Sequence, residues 1–369
     1  MPFTRRIYQT QALFVSTGTA TGQHFSSGNS GVNLLTQISR VQSINDGYDV
    51  ALQDVNQFGQ LGALSREIVD PPTVNLSFSY FPTDGADEKK LGFVISGSNS
   101  VGALTNILRG VTNERNYFIP TVAQGNDMNF LSGADVVDVR AIGNGFINSY
   151  SVEGSVGGFL TANVGVEALN AKYDIGGVQN GIPGINTSNG VLVTGYNYTI
   201  PSGVTGSLGQ PVVIKQGDIT VDFSSIDNFG ATLTGVGAGH IQSFTLDVPL
   251  SLEALNRLGN RFSYAREINF PLSATLSINA IVNNLTSGSL SSLFCANNKY
   301  NINVFCRTAT CDGSTGSNLL VYTLKGAQLG SQSFGASIGP AQTVDLTFSS
   351  SIGGPLDSSN NVFFSGVNP

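Results

Sequence analysis

The stretch VQSINDGYDVALQDVNQFGQLGALSREIVDPPTVNLSFSY (residues 41–80) recurs as IQSFTLDVPLSLEALNRLGNRFSYAREINFPLSATLSINA (residues 241–280), at a spacing of 200 residues. The two stretches align without a gap, and eleven of their forty positions are identical. Unrelated stretches would share about two or three. A period this long is typical of two whole folding units rather than of a solenoid or propeller. One chain therefore presents two equivalent surfaces, which favours assembly over catalysis.

A second, weaker match extends the repeat towards the end of each copy. Residues 149–161 (SYSVEGSVGGFLT) align with residues 331–343 (SQSFGASIGPAQT) at five identical positions. Between the copies, residues 173–209 are rich in Gly, Ser and Asn and hold one strand-like island. This composition is typical of a connection. The sequence therefore predicts a first domain at residues 1–172 and a second domain at residues 210–369.

Charged side chains are scarce in this chain. They make up 11 % of the 369 residues, against about 25 % in an ordinary soluble domain. Apolar residues are plentiful but never form a run of about 18, so no membrane insertion is expected. A folded chain with so few charges must cover its surface with Gly, Ser, Thr, Asn and Gln, which repel neighbours poorly. We therefore expect much of this surface to contact other subunits; a secreted, glycine-rich β protein is the alternative.

The net charge of −7 bears on nucleic acid. It argues against tight wrapping of DNA or RNA, because binders neutralise phosphates with Lys and Arg. It is compatible with a passage through which DNA slides, since a weakly repulsive wall suits that task. Basic side chains pointing into such a passage would hold the DNA back, so few are expected there.

The sequence offers no site for catalysis, a cofactor or a metal. Its two histidines, His24 and His240, lie in no recognisable motif, and the chain has no nucleophile elbow, zinc-protease motif or phosphate-binding loop. Its three cysteines, Cys295, Cys306 and Cys311, lack the spacing of zinc ligands. An odd count without an evident signal peptide favours free thiols in a reducing compartment, with a Cys306–Cys311 bridge as the alternative. We expect no enzymatic activity.

Alternating apolar and polar residues predict β-strands in both copies. The pattern is clearest at residues 73–80, 156–166, 218–223, 274–281 and 343–348. Helical periodicity is weak: leucines at 252, 255 and 258 predict a short helix at residues 251–258, with a weaker counterpart at residues 54–58 and a further candidate at residues 101–108. The expected class is mainly β, with two tandem, mostly antiparallel domains, each with a short flanking α-helix.

Four pairs of residues that are identical between the copies are candidate structural or interface positions: Arg66 and Arg266, Glu67 and Glu267, Gly59 and Gly259, and Pro71 and Pro271. Neighbours on a strand point to opposite faces, so one member of each Arg–Glu pair must lie inward or at a partnered edge, where an unpaired charge is costly. We interpret the pair either as an ion pair between strands or subunits, or as a solvated strand start. Each glycine follows a helix candidate and is predicted to be its left-handed C-cap. The prolines are predicted to start equivalent strands, where a missing N–H costs least.

The segment at residues 40–93 resembles the major tail proteins of tailed bacteriophages. The strings V-Q-S, D-V-N-Q-F-G-Q-L, P-P-T-V-x-L-x-F-S-Y and L-G-F carry the resemblance, and INSYSVEGSVGGFLTAN (residues 147–163) is similar to a later strand of the same family. The resemblance implies tail-tube-like domains, each a β-sandwich or barrel with a flanking helix, that form rings stacked into a tube. Many tube proteins have one such domain and form hexameric rings, so two domains per chain imply the same ring from three chains.

We therefore expect a structural protein of a virion tail, assembled in the host cytoplasm, that encloses a channel for genome ejection. Its partners would be further copies of itself, as trimeric rings with pseudo-sixfold symmetry in preference to hexamers, other tail proteins, and double-stranded DNA in transit. A trimeric baseplate hub, a distal-tail protein or a neck ring is an alternative within the same class. A β-sandwich adhesin or carbohydrate-binding module is an alternative of another class, which the absence of tryptophan disfavours.

Overall fold

The protein is built mainly from antiparallel β-strands, as the alternating sequence patterns predict. The computed structural model describes residues 7, 10–16, 35–97, 101–110, 114–128, 136–176, 178–194, 197–201, 213–222, 240–281, 298–308, 316–336 and 342–367. The elements up to residue 175 are β1 (Phe14–Ser16), β2 (Leu35–Gln37), β3 (Val41–Asp49), β4 (Leu52–Val55), β5 (Ser65–Ile68), β6 (Thr73–Tyr80), α1 (Ala86–Leu91), α2 (Thr105–Leu108), β7 (Arg115–Val122), β8 (Val136–Ser155), β9 (Thr161–Ala168) and β10 (Asn170–Ile175). They are followed by β11 (Val178–Asn180), β12 (Ile185–Asn186), β13 (Val191–Leu192), β14 (Asn197–Thr199), β15 (Ile219–Asp222), β16 (His240–Pro249), β17 (Leu252–Leu255), β18 (Ala265–Ile268), β19 (Leu272–Ile281), β20 (Tyr300–Arg307), β21 (Asn318–Gly335), β22 (Thr343–Ile352) and β23 (Asn361–Gly366).

Fifteen of these strands form one continuous sheet in which two long strands, β8 and β21, each serve two parts. The N-terminal half of β8 pairs with β7 and β10, and its C-terminal half pairs with β9 and β16. The N-terminal half of β21 likewise pairs with β20 and β23, and its C-terminal half pairs with β22. A register shift lies at the change-over in both strands, between Ile147 and Ser149 and between Leu329 and Ser331. Such bulges bend a strand and let it pass from one group of partners to the other.

The two copies have the same strand pairing at equivalent residues, which is the arrangement that the sequence repeat predicts. In the ladder of β3 with β6, Ser43 lies opposite Ser79, and in the ladder of β16 with β19, Ser243 lies opposite Asn279. Both ladders have a register shift at the same place, two residues from their start. The weaker match holds as well, because every residue pair of β8 with β9 recurs in β21 with β22 at a displacement of 182 residues.

The two halves share one sheet and one hydrophobic core. β8 of the first half pairs with β16 of the second. In the core, the Tyr150 ring lies 4.7 Å from Phe93 and 5.5 Å from Phe364, and Phe364 lies 5.0 Å from Tyr322. The predicted connection at residues 173–209 contributes two small sheets, β11 with β14 and β12 with β13. Both the sheet and the core cross the predicted domain boundary. The division of the chain into separate domains stays a prediction.

The predicted helices at residues 251–258 and 54–58 are wrong. Residues 251–258 contain β17 and residues 54–58 overlap the end of β4; these are the first strands of two hairpins, β17–β18 and β4–β5. Pairing with the returning strand overrides the weak helical propensity of both segments. The two α-helices among the described residues, α1 and α2, lie between β6 and β7, and α2 falls within the candidate at residues 101–108. None of the described helices is long and apolar enough to cross a membrane.

The remaining sequence predictions shift by a few residues. β6, β15, β19 and β22 lie where alternation predicts strands, whereas residues 156–160 precede β9 as a turn. Pro271 lies directly before β19, and Pro71 lies two residues before β6. Gly59 and Gly259 are not helix C-caps; they lie in the hairpin turns with φ of 84° and 91°. The prediction of left-handed backbone there is correct, because glycine tolerates that conformation.

Candidate assembly surfaces

One face of eight neighbouring strands is lined by small polar side chains. In spatial order the strands are β3, β6, β9, the C-terminal half of β8, β16, β19, β22 and the C-terminal half of β21. Along each strand apolar residues point into the core, and the alternate residues point outwards. We call the outward set the polar face: Ser43, Asn45, Gly47, Asp49, Thr73, Asn75, Ser77, Ser79, Thr161, Asn163, Gly165, Glu167, Ser149, Ser151, Glu153, Ser155, Ser243, Thr245, Asp247, Pro249, Ser273, Thr275, Ser277, Asn279, Thr343, Asp345, Thr347, Ser349, Ser351, Ser331, Ser333 and Gly335. These described positions include no lysine and no arginine.

The charges that the polar face does carry are acidic. They are Asp49, Glu153, Glu167, Asp247 and Asp345. Asp345 accepts a hydrogen bond of 2.6 Å from the Asn279 amide, and partial burial raises the pKa of Asp247. Arg266 offsets the charge of Glu167, and the other four carboxylates give this face a negative potential, which repels phosphate.

A seam between β8 and β16 joins the two copies within the chain. Seven residue pairs run from Ser155 opposite Ser243 to Ser149 opposite Pro249. Two further backbone hydrogen bonds extend the seam, from Val156 N to Gln242 O (2.9 Å) and from Leu250 N to Asn148 O (2.8 Å). On the core side of the seam, the side chains of Val152, Leu246 and Val248 are buried. The seam therefore combines a continuous backbone ladder with a dry apolar layer.

The strands equivalent to this seam lie at the two ends of the eight-strand series. β3, the counterpart of β16, pairs only with β6 among the described strands. Residues 329–335 of β21, the counterparts of the seam half of β8, pair only with β22 in the described part of the chain. Apolar side chains on their core side are exposed: Tyr48 is 59 % exposed and Phe334 is 45 % exposed, whereas their counterparts Val248 and Val152 are both at 0 %. The two edges thus resemble the two halves of a seam that has been opened.

The repeated arginines lie at equivalent places in the two hairpins and both pair with carboxylates. Arg66 Nε lies 2.6 Å from Asp54 Oδ1 on the opposite strand of its own hairpin, and the Arg66 side chain is 64 % exposed. Arg266 Nη1 lies 3.1 Å from Glu167 Oε1 of β9, and the Arg266 side chain is 4 % exposed. The first pair is an exposed pair between strands, and the second is a buried pair between the halves of the chain. Glu67 and Glu267 are exposed, which fits a solvated position.

A buried acid lies where sequence reasoning predicted no site. Glu88 of α1 accepts hydrogen bonds from the hydroxyls of Tyr80 (2.9 Å) and Tyr150 (3.2 Å), and the Tyr150 hydroxyl lies 3.5 Å from that of Tyr322. Burial, with the neighbouring Asp87 carboxylate, raises the pKa of Glu88 to about 7. No periodicity or motif marks this residue, because its two partners come from different strands, β6 and β8.

The neighbouring Asp87 is compensated by cations. Its carboxylate lies 2.8 Å from Lys90 Nζ and 3.5 Å from Arg40 Nη2, and it accepts a hydrogen bond of 3.1 Å from the backbone of Ser39. This network ties α1 to the start of β3. It therefore fixes the strand that carries one of the two open edges.

Metal and thiol chemistry have no assembled site in the described part of the chain. No group of three His, Cys, Asp or Glu residues there is placed to hold a metal ion. Cys306 is a buried free thiol whose pKa is raised by burial, and Cys295 and Cys311 lie outside the described residues. His240, at the start of β16, is exposed, and His24 lies outside the described residues.

Comparison with protein-family models and with curated proteins gives no match to this chain. The features that can carry a function are therefore those of the molecule itself. They are the polar face, the internal seam, the two open edges that resemble it, and the two hairpins.

Proposed function

We propose that this chain is a ring-forming subunit of a viral tail tube, in which three chains close a β-barrel around a DNA channel. The observation that carries the proposal is the pair of open edges, β3 and residues 329–335, whose counterparts already form a seam within the chain. Edge strands with unpaired N–H and C=O groups pair readily with other chains. Pairing of β3 with β21 of the next chain would repeat the seam.

Such pairing is head-to-tail, because the two edges differ. A head-to-tail interface generates either a closed ring or an open filament. The internal seam fixes the expected register: Asp49 should lie opposite Ser331 and Gly47 opposite Ser333, as Pro249 lies opposite Ser149 and Asp247 opposite Ser151. In that register Tyr48 and Phe334 enter the positions that Val248 and Val152 fill in the internal seam, so their exposed apolar surface becomes buried.

Ring size follows from the two copies in each chain. Three chains would supply twenty-four strands, eight from each. Strands about 4.8 Å apart then give a backbone diameter of roughly 37 Å, and strand tilt widens it further. The short side chains of the polar face would leave room for one DNA duplex.

The chemistry of the polar face supports a conducting channel. Each Lys or Arg that contacts a phosphate adds salt-dependent affinity for DNA, and the polar face has neither. Serine, threonine and asparagine keep the wall hydrated, and the four acids other than Glu167 repel the phosphates weakly. DNA would therefore meet a wall that neither wraps it nor holds it.

The hairpin tips support the stacking of rings. At the tip of the first hairpin, Phe58 is 106 % exposed and Leu61 is 110 % exposed. At the tip of the second hairpin, Leu258 is 103 % exposed, although Arg266 of the same hairpin is buried against the first half of the chain. Apolar side chains that stay fully exposed in both copies are typical of a contact surface. Contact with the next ring would cover them.

Electron microscopy of the purified full chain, with its mass in solution measured by light scattering, tests the proposal. Stacked rings of three chains, with the polar face inwards, are expected. Single trimeric rings that never stack would favour a hub or neck ring. A chain that stays monomeric at high concentration would overturn the proposal and favour an adhesin.

A further inference from the structure

The hairpins at residues 51–70 and 251–270 have the same strand pairing but different surroundings. Every residue of the first hairpin is exposed. In the second hairpin, Ser263 and Arg266 are buried, and Leu252, Leu255 and Ile268 are half-buried. The difference arises because the second hairpin lies against the first half of the chain.

The second hairpin has a defined seat on the first half. The Arg266 guanidinium lies 5.5 Å from the centre of the Phe146 ring, its Nη1 pairs with Glu167, and its Nη2 donates to Ala168 O at 3.4 Å. Arg257 donates a hydrogen bond to the backbone oxygen of Ser188. The seat lies at the middle of β8 and the end of β9, beside the seam.

The same place exists on the second half of the chain. The displacement of 182 residues between the ladders places Gln328 at the position of Phe146 and Ser349 at the position of Glu167. Both residues are partly or fully accessible to solvent. A strand that pairs with residues 329–335 would bring its own hairpin over them, as β16 brings residues 251–270 over the first seat.

We propose that residues 51–70 form an arm that docks on the second half of a neighbouring copy of this chain, over Gln328, Ser349 and Lys299. The inference rests on the proposed function, because the arm reaches this seat only when β3 pairs with β21 of the neighbour. It deepens that function by naming the surface that receives the arm. Exposed Leu52, which lies opposite the exposed Ile68, supplies the apolar surface that docking would cover.

At the internal seat, the hairpin carries the positive charge and the receiving half carries the negative charges. The hairpin contributes Arg266, and the residue opposite it, Ala254, carries no charge. The receiving half contributes two acids: Glu167, which pairs with Arg266, and Glu114, which lies in the same cleft and whose charge acts on Arg266. One cation on the hairpin thus meets acids on the seat.

At the proposed seat, the receiving half carries a positive charge and the arm carries a negative charge. Ser349 replaces the first acid. Lys299 replaces the second, since it precedes Tyr300 as Glu114 precedes Arg115, and these two residues hold equivalent ladder positions opposite Ala327 and Gly145. Within its own half, Lys299 donates a hydrogen bond of 3.1 Å to Asn360 Oδ1, and its charge acts on Asp357. The arm adds a further acid, Asp54, which lies opposite Arg66 and pairs with it.

The exchange of charges makes the two seats specific. Arg266 on the second seat would face Lys299, whereas Asp54 on the first seat would face Glu167. Like charges at a contact suppress the wrong partner. The arms therefore favour alternation of first and second halves around the ring, which is the order that three complete chains produce.

Thiol cross-linking of assembled protein tests the arm. In Arg66→Cys/Ser349→Cys, a short bismaleimide should give covalent dimers and trimers; Arg266→Cys/Glu167→Cys should react within the chain without a gain in mass. Arg66→Cys/Glu153→Cys measures the background, including that of the native cysteines. Rings without cross-linking above this background would overturn the arm and leave the proposed function standing. A monomer in every condition would overturn both.

A charge exchange gives a second readout that does not depend on added thiols. Lys299→Glu should weaken assembly several-fold at low salt while the monomer stays folded. Adding Asp54→Lys should restore most of the loss, because the attraction is rebuilt with reversed signs. Absence of rescue, with both variants folded, would contradict the pairing of the arm with Lys299.

Discussion

Val248 lies directly opposite Tyr150 across the seam of β16 and β8, and both side chains are fully buried. Their counterparts, Tyr48 and Gln332, lie on the two open edges of the same molecule. The chain thus contains one completed copy of a contact and the two unjoined halves of another. This relationship is the basis for treating the molecule as a ring subunit.

Tyr48→Asp should leave the monomer folded and weaken assembly. Burying a large side chain of this kind contributes about 1.5–3 kcal/mol, which corresponds to a loss of roughly ten- to a hundredfold in association at each contact. Sedimentation measurements over a range of protein concentrations would check this. Ile175→Asp is the control, because Ile175 is 87 % exposed and lies at the end of β10, where it pairs with Asp138 of β8. Equal effects of the two changes would exclude the edge as the contact.

Arg266→Ala should destabilise the folded monomer, whereas Arg66→Ala should not. The buried Arg266 holds an ion pair with Glu167 and packs on Phe146. Its Nη2 donates a hydrogen bond to Ala168 O, and a hydrogen bond that involves a charged group contributes about 1.5–3 kcal/mol. Arg66 is exposed and pairs within its own hairpin. Urea unfolding of both variants at neutral pH decides the matter, and an equal loss would mean that the second hairpin is not held by its arginine.

The contrast between these arginines marks a limit of sequence reasoning. The repeat identified Arg66 and Arg266 as equivalent, and both pair with carboxylates. Their different burial could not be predicted, because the partner of Arg266 is 99 positions earlier in the chain and is reached only through the seam. The strands around Thr73–Tyr80 and Leu272–Ile281 were predictable, since alternation requires only local information.

The helix predictions failed for a related reason. Leucines at 252, 255 and 258 have helical spacing, but Leu258 lies at a hairpin tip and Leu252 pairs opposite Ile268. In so short a segment, apolar residues spaced three apart do not distinguish a helix from a strand followed by a turn. The polar face was predictable in composition, as a surface rich in Ser, Thr and Asn. The absence of Lys and Arg from the polar face could not be predicted, because it depends on the strand register, which determines which residues point outwards.

The free energy of unfolding should fall as pH rises, in part because of Glu88. Its pKa in the folded protein is about 7, above the ordinary value near 4.3. The folded state therefore binds more protons than the unfolded state between these values, so the contribution of Glu88 is lost as pH rises from about 4.5 to 7. Glu88→Gln, which keeps an oxygen for the two tyrosine hydroxyls, should reduce this pH dependence.

Urea unfolding at pH 5 and pH 8 would check the prediction. The wild-type loss between these values should exceed that of Glu88→Gln by about 1–3 kcal/mol. Glu153→Gln, on the exposed polar face, is the control for removal of a carboxylate. Burial also raises the pKa of Glu114 to about 7, so a residual dependence of the same sign should remain in Glu88→Gln. An identical pH dependence of Glu88→Gln and wild type would contradict the assignment.

Lysines placed on the polar face should make assembled rings bind DNA. Ser77→Lys with Ser277→Lys would add six cations to a ring of three chains, since each chain contributes two. Binding of a short duplex should then appear at low salt and decline steeply as salt rises, whereas unmodified rings should show none. Ser358→Lys with Ser359→Lys adds the same charge on an exposed loop between β22 and β23. Equal binding by both variants would mean that the polar face does not line the channel.

Cryo-EM of the assembled rings tests the central claim most directly. The predicted result is a ring of three chains in which β3 of each pairs with residues 329–335 of the next, Asp49 lies opposite Ser331, and the polar face surrounds the channel. A ring of six chains with one copy inside and the other outside, or a channel lined by Lys and Arg, would contradict the account.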